Sequence, residues 1–67
     1  MQQEIILLRL PEVKRRTGLS RSSIYDGMAR GLFPRSVHIS QRAVAWDSRS
    51  IDAWVSARLA GREGEAA

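Results

Sequence analysis

No cysteine occurs in the 67 residues. That removes both a disulfide framework and a cysteine-based zinc site as the staple of so short a chain. Aromatic side chains are scarce, with two tryptophans, one tyrosine and one phenylalanine. The single histidine, His38, has no cysteine beside it, and a metal site needs several converging ligands. No metal and no cofactor are therefore expected, and His38 reads as a strand residue facing solvent or phosphate. Long apolar runs are also missing. Ile5–Leu8 has only four residues, against the roughly 20 of a membrane span, and with Glu4 ahead of it the segment fails as a secretory signal. There is no Gly-rich phosphate loop and no nucleophile–base–acid set, so catalysis is not expected. The expectation is a soluble, cytoplasmic chain of one small domain over residues 1–60, followed by a flexible polar tail over residues 61–67. Its core has to come from the 43% of residues that are apolar, since a chain near 60 residues buries only about 60% of its unfolded surface.

Positive charge is plentiful, and it is concentrated. Eleven Lys and Arg face seven Asp and Glu, a net +4, and all the cations but Lys14 are arginine. Arginine presents a fixed fork of donors that matches phosphates and guanine edges. Residues 9–42 hold eight of these cations against only Glu12 and Asp26, whereas each flank carries a net −1. A basic central block between near-neutral ends is the footprint of a nucleic-acid reader. An arginine-rich solvated surface reflecting a GC-rich genome is the other reading, and charge alone leaves both open.

Ile5–Leu8, with two β-branched residues, suggests a brief strand or an extended arm. Leu10-Pro11 opens a first helix, since proline suits the first helical turn and Glu12 suits the positive end of the helix dipole. Lys14, Arg15 and Arg16 lie toward its other end. Gly18 can take the left-handed conformation that stops the helix, and Ser20 is a good N-cap for a second one. That helix is expected over Arg21–Arg30, with Ile24 and Met28 on its apolar face and Gly31 and Pro34 ending it. Two short helices joined by a glycine-containing turn form a helix-turn-helix. Beyond Pro34 the period changes to alternation. Val37, Ile39, Val44 and Trp46 predict a two-stranded hairpin with its polar tip at Ser40–Arg42. Asp47 or Ser48 caps a third helix, whose stripe Ile51, Trp54, Val55 and Leu59 faces the core and which Gly61 ends. The fold expected is α+β and mainly helical: a small winged helix-turn-helix.

The segments Leu10–Thr17, Gly18-Leu19-Ser20-Arg21-Ser22-Ser23-Ile24-Tyr25, Gly31-Leu32-Phe33-Pro34, Arg42–Trp46 and Ile51–Trp54, in this order and spacing, resemble the AlpA family. These are prophage and integrative-element regulators related to excisionases, with a MerR-type winged helix. The resemblance spans roughly Leu8–Arg58. It implies a double-stranded DNA-binding protein that regulates transcription or directs excision, with the second helix in the major groove and the hairpin tip on the backbone or minor groove. It places Arg21, Ser22 and Tyr25 on the recognition face and Arg42 at the wing. The chain departs from the family in having Ser40-Gln41 where many relatives have glycine, and Ser50 where glutamate is common. Asp26 is an unexpected anion beside the implied groove, one that restricts which bases are tolerated.

Residue by residue, Arg21 sits where the helix dipole disfavours a cation, which points to an outside anion at the place where base edges are met. Tyr25 either packs its ring on the rim of the core or meets phosphate or base, and both readings stand. Ser20 and Ser22 are candidate contacts, though serine is common early in a helix. Arg35, rigidly placed after Phe33-Pro34, suits a phosphate. Gln41 and Arg42 stand at the hairpin tip, where insertion into the minor groove is available. Lys14 and Arg15 belong to a charge run that is either a solvated face or a phosphate contact from the first helix. Trp46, Trp54 and Phe33 are expected in the core rather than stacked on bases. A different class of function also fits, namely a protein-interaction module whose third helix or Ile5–Leu8 strand docks on integrase or pairs with a second copy.

Overall fold

The computed structural model describes residues 4–65 of the chain. In chain order the elements are β1 (Leu7–Leu8), α1 (Leu10–Thr17), α2 (Arg21–Ala29), β2 (Val37–Ser40), β3 (Ala43–Asp47) and α3 (Ser48–Glu65). This is the helix-turn-helix, hairpin and C-terminal helix expected from the sequence, preceded by a short strand within Ile5–Leu8, one of the two readings of that segment.

Local signals set the first two helices. Pro11 lies in the first turn of α1, and Gly18 at φ 75° ends it, its N–H donating to Lys14 O at 2.8 Å. Ser20 caps α2, its Oγ accepting from Ser23 N–H at 3.1 Å. The second helix ends one residue earlier than expected, at Ala29, with Arg30 as its cap. Gly31 at φ 72° turns the chain, so that Gly31 N–H reaches Met28 O and Leu32 N–H reaches Gly27 O at 2.8 Å. Those paired bonds satisfy the last carbonyls of the helix and need a left-handed residue where glycine stands.

The hairpin proves to be part of a three-stranded antiparallel sheet in the order β1-β3-β2. Leu7 and Leu8 pair with Asp47 and Trp46, so the N-terminal segment is a strand rather than a free arm. Ser48 secures it further. Its N–H donates to Ile6 O at 2.8 Å and its buried Oγ accepts from Ile6 N–H at 3.0 Å. Ser48 thus ties the strand to the start of α3, while Asp47 Oδ1 accepts from Arg49 N–H at 2.8 Å as the cap-like contact. In the wing, His38 opposes Val44 and Ser40 opposes Ala43, which leaves a bulge at Ile39. The two-residue tip Gln41-Arg42 has no left-handed residue. The bulge supplies the extra twist that such a connection otherwise lacks.

Leu8, Val13, Ile24, Phe33, Trp46 and Ile51 form the buried core, with Leu10, Leu19, Tyr25, Met28, Val44 and Trp54 packed around it. Two expectations for the third helix change. Leu59 is exposed, because the helix extends past the body it packs on and its stripe is buried only at Ile51 and half-buried at Trp54 and Val55. Gly61 does not stop the helix, which continues to Glu65. Gly61 keeps a negative φ, and an interior glycine costs only about 1 kcal/mol relative to alanine. Residues 61–65 of the expected tail therefore lie in α3, and residues 66–67 lie outside the described residues.

Phe33 reaches the core across a glycine. A Cβ built on Gly27 would stand 2.9 Å from Phe33 Cβ, an atom too close to the backbone to swing aside. Gly27→Ala is accordingly expected to destabilise the domain by about 1–3 kcal/mol. In a thermal melt followed by circular dichroism, this should lower the midpoint by at least about 4 °C. An unchanged midpoint would show that the Phe33 loop yields freely.

Candidate nucleic-acid interface

Both tryptophans hold the connection between α2 and the wing. Trp46 Nε1–H donates to Pro34 O at 3.1 Å, and Trp54 Nε1–H donates to Leu32 O at 3.3 Å. Phe33, between those two carbonyl positions, meets the Trp54 ring edge-on at 5.1 Å. The backbone immediately before Arg35 is therefore fixed at three consecutive residues. Trp46 is fully buried and Trp54 half-buried. They serve as core and clamp, which leaves the exposed polar groups to meet any ligand.

The arginines separate by partner. Glu12 binds the guanidinium of Arg15 and that of Arg16, the latter at 3.0 Å, and Arg16 also reaches Asp52 of α3 at 3.5 Å. These two cations hold the Glu12 carboxyl down to about 2, hydrogen bonding from Arg15 contributing most and that from Arg16 next. The group is depressed on folding, so the stabilisation from the cluster is present above the ordinary carboxylate range and is lost as pH falls toward about 2. Arg30 pairs with Asp26 at 3.3 Å and Arg49 with Asp47 at 3.7 Å. Among the described residues, Arg9, Lys14, Arg21, Arg35, Arg42 and Arg58 have no acidic partner.

Among the residues singled out from the sequence, Arg21 and Tyr25 come together. The Arg21 guanidinium lies over the Tyr25 ring at 5.2 Å, and that ring stands edge-on to Trp46 at 6.2 Å. The half-buried tyrosine thus packs on the rim of the core through Trp46 and carries the exposed Arg21 on its ring. Tyr25 and Arg35 also line one cleft of about 290 Å³ with Met28, Ala29 and Ser36. The first two of those companions are apolar; Met28 was expected only on the apolar face of the helix, and Ala29 and Ser36 were not singled out from the sequence. The signal available was Ala29, a small residue one turn beyond Tyr25. Ser22 is exposed on α2. Ser20 is also exposed, but its hydroxyl is engaged by Ser23 as the helix cap, which leaves it less available than a free serine. Gln41 and Arg42 are exposed at the wing tip and do not line the tyrosine cleft. Lys14 is exposed and without an acidic partner, whereas Arg15 is matched by Glu12. The sequence reading also passed over the Asp26–Arg30 pair, which its spacing of four on one helix could have revealed.

Among the described residues, no group of three or more His, Cys, Asp or Glu stands together as a metal ligand set, and no helix is long and apolar enough to cross a membrane.

A helix-turn-helix, a hairpin wing and a clamped linker bearing Arg35 without an acidic partner define a small winged-helix-like domain. The family described as prophage CP4-57 regulatory protein (AlpA) matches residues 6–59, most of the chain, and this protein belongs to that family. It is 45% identical over 56 residues to the uncharacterized protein ORF88 of Enterobacteria phage P4, an alignment covering 84% of this chain and 64% of the phage protein. It is 34% identical over 58 residues to the DNA-binding transcriptional activator AlpA of Escherichia coli K12, covering 78% of this chain and 83% of that protein. The chain therefore spans just under two thirds of the phage P4 relative.

Proposed function

We propose that this chain is a sequence-specific double-stranded DNA-binding regulator of a prophage or integrative element, controlling transcription, excision or both. The observation that carries the reading is Arg21. It stands exposed in the first turn of α2, where the dipole repels a cation, has no acidic partner among the described residues, and is steadied on the Tyr25 ring. An external anion or guanine edge is what such a group lacks. In this reading α2 enters the major groove by its N-terminal half, and Arg21, Ser22 and Tyr25 face the bases. Arg35 and Lys14 take phosphates, and Gln41 and Arg42 meet the neighbouring backbone or minor groove. The name of the Escherichia coli relative, a DNA-binding transcriptional activator, supports the same assignment.

Binding of labelled duplexes carrying the element's own promoter and attachment site, compared with random duplex, tests it. Arg21→Ala should relax preference at one base position, costing about 1–3 kcal/mol on the cognate site, whereas Arg35→Ala should weaken cognate and random duplex alike. Equal losses on both duplexes for both variants would show the roles to be misassigned.

A second reading draws on Leu7 in the edge strand β1 and on Ile5 and Ile6 just before it, all three about half exposed. Such an edge recruits another strand, which suits docking on integrase or self-association. Sedimentation with and without DNA separates the two, because a chain that binds integrase and no duplex retains only this second role.

A further inference from the structure

We propose that Asp26 is a specificity-determining residue whose carboxylate accepts a hydrogen bond from the N4 amino group of a cytosine, with Arg30 as the positioning residue that holds it. This inference rests on reading α2 as the groove helix.

On α2, Ile24 is buried, Met28 packs against the core and Gly27 faces Phe33. Helical spacing puts Ser22, Asp26 and Ala29 in one row on the opposite side, and all three are exposed. Asp26 therefore lies on the outward face, at its border with a cleft that Ser23, Gly27 and Arg58 also line, with Arg21 toward the start of the helix and Arg30 one turn further on. Its side chain is 65% exposed and that of Arg30 is 66% exposed, with 3.3 Å between Asp26 Oδ2 and Arg30 Nη1. An acid in the last turns of a helix opposes the dipole, and a carboxylate turned toward a polyanion is repelled by it. Arg30 offsets part of both effects and restricts the carboxylate to one side.

A carboxylate in the major groove finds donors on only two bases, the N4 amino group of cytosine and the N6 amino group of adenine. Adenine places the N7 acceptor beside its amino group, which repels a second carboxylate oxygen. Cytosine offers its donor without that neighbour. The chemistry thus selects cytosine and excludes phosphate contact, which separates Asp26 from every arginine of the interface.

Selection of duplexes from a randomised pool by the wild-type chain, Asp26→Ala, Asp26→Asn and Arg30→Ala tests the proposal. The wild-type site should require cytosine at one position by about five- to a hundredfold. Asp26→Ala should remove that requirement and leave the remaining positions intact. Asp26→Asn should move it toward adenine, which asparagine engages through N6 and N7, a change of base that a purely structural role would not produce. Arg30→Ala should weaken the cytosine requirement without moving it to another base. Sites identical to wild type from all three variants would overturn the proposal. If the wild-type chain enriches no site at all, the groove-helix reading itself fails. Melting curves of the variants, all at exposed positions, show whether each remains folded during selection.

Discussion

Alanine in place of Trp46 is expected to cost about 3–5 kcal/mol and to leave the chain largely unfolded at 25 °C. Trp46 is fully buried at the centre of the core and pairs with Leu8 across the sheet. A domain of this length has a total stability of roughly 3–10 kcal/mol, so the loss removes much or all of it. Two effects combine. The ring leaves a cavity that Ile24, Ile51 and Val13, themselves fully buried, cannot close without moving the helices. The indole N–H also stops donating to Pro34 O. Trp46→Phe separates them, since it keeps most of the volume and loses the donor, and should cost about 1–3 kcal/mol through the stranded carbonyl. Urea unfolding followed by circular dichroism reads both variants. A Trp46→Ala chain as stable as wild type would mean that the core is centred elsewhere.

Affinity for duplex DNA is expected to fall steeply with salt. Contacts from the cations without acidic partners, Lys14 of the α1 run among them, would neutralise about four to six phosphates, giving a slope of log affinity against log salt of about −4 to −5. Between 50 and 200 mM salt that is a loss of about 10²- to 10³-fold. Arg35→Ala and Arg42→Ala should each flatten the slope by about 1. Arg15→Ala should change it much less, because Glu12 already matches that charge. Fluorescence anisotropy of a labelled duplex across a salt series measures all of these. A flat dependence, or equal changes for Arg15 and Arg35, would contradict the division of the arginines into matched and free.

That division shows where reading the chain in one dimension ends. The charge run Lys14-Arg15-Arg16 looks uniform as a string, yet its members differ in the folded protein. Arg15 and Arg16 turn back on Glu12, and Arg16 also reaches Asp52, 36 positions away. Tyr25 left two roles open because an intermediate position on a helix cannot reveal that Trp46, from a distant strand, stands behind the ring. Gly27 gave no signal as a residue of a helix interior. Only the return of Phe33 to within contact distance makes its missing side chain necessary.

The helix ends, by contrast, were written locally. Gly18, Ser20 and Gly31 act within one turn of their own positions, through φ and through a hydroxyl aimed at a nearby N–H, and such effects do not depend on the rest of the fold. Apolar spacing in α2 and in the strands likewise identified Ile24 and Trp46 as core, and Phe33 was expected there as one of the few large apolar side chains so short a chain has. Pairing of Leu7 and Leu8 with β3, the Ser48 tie to Ile6 and the continuation of α3 past Gly61 had no such marker. Each depends on where a remote segment lies or on the absence of a reason to stop. Short-range torsion and hydrogen-bond preferences thus specified the helix-turn-helix and the hairpin from the residues alone. Which cations stay free, and which backbone atoms hold Arg35 in place, followed only from the meeting of segments far apart in the chain, because electrostatic pairing and packing act through space.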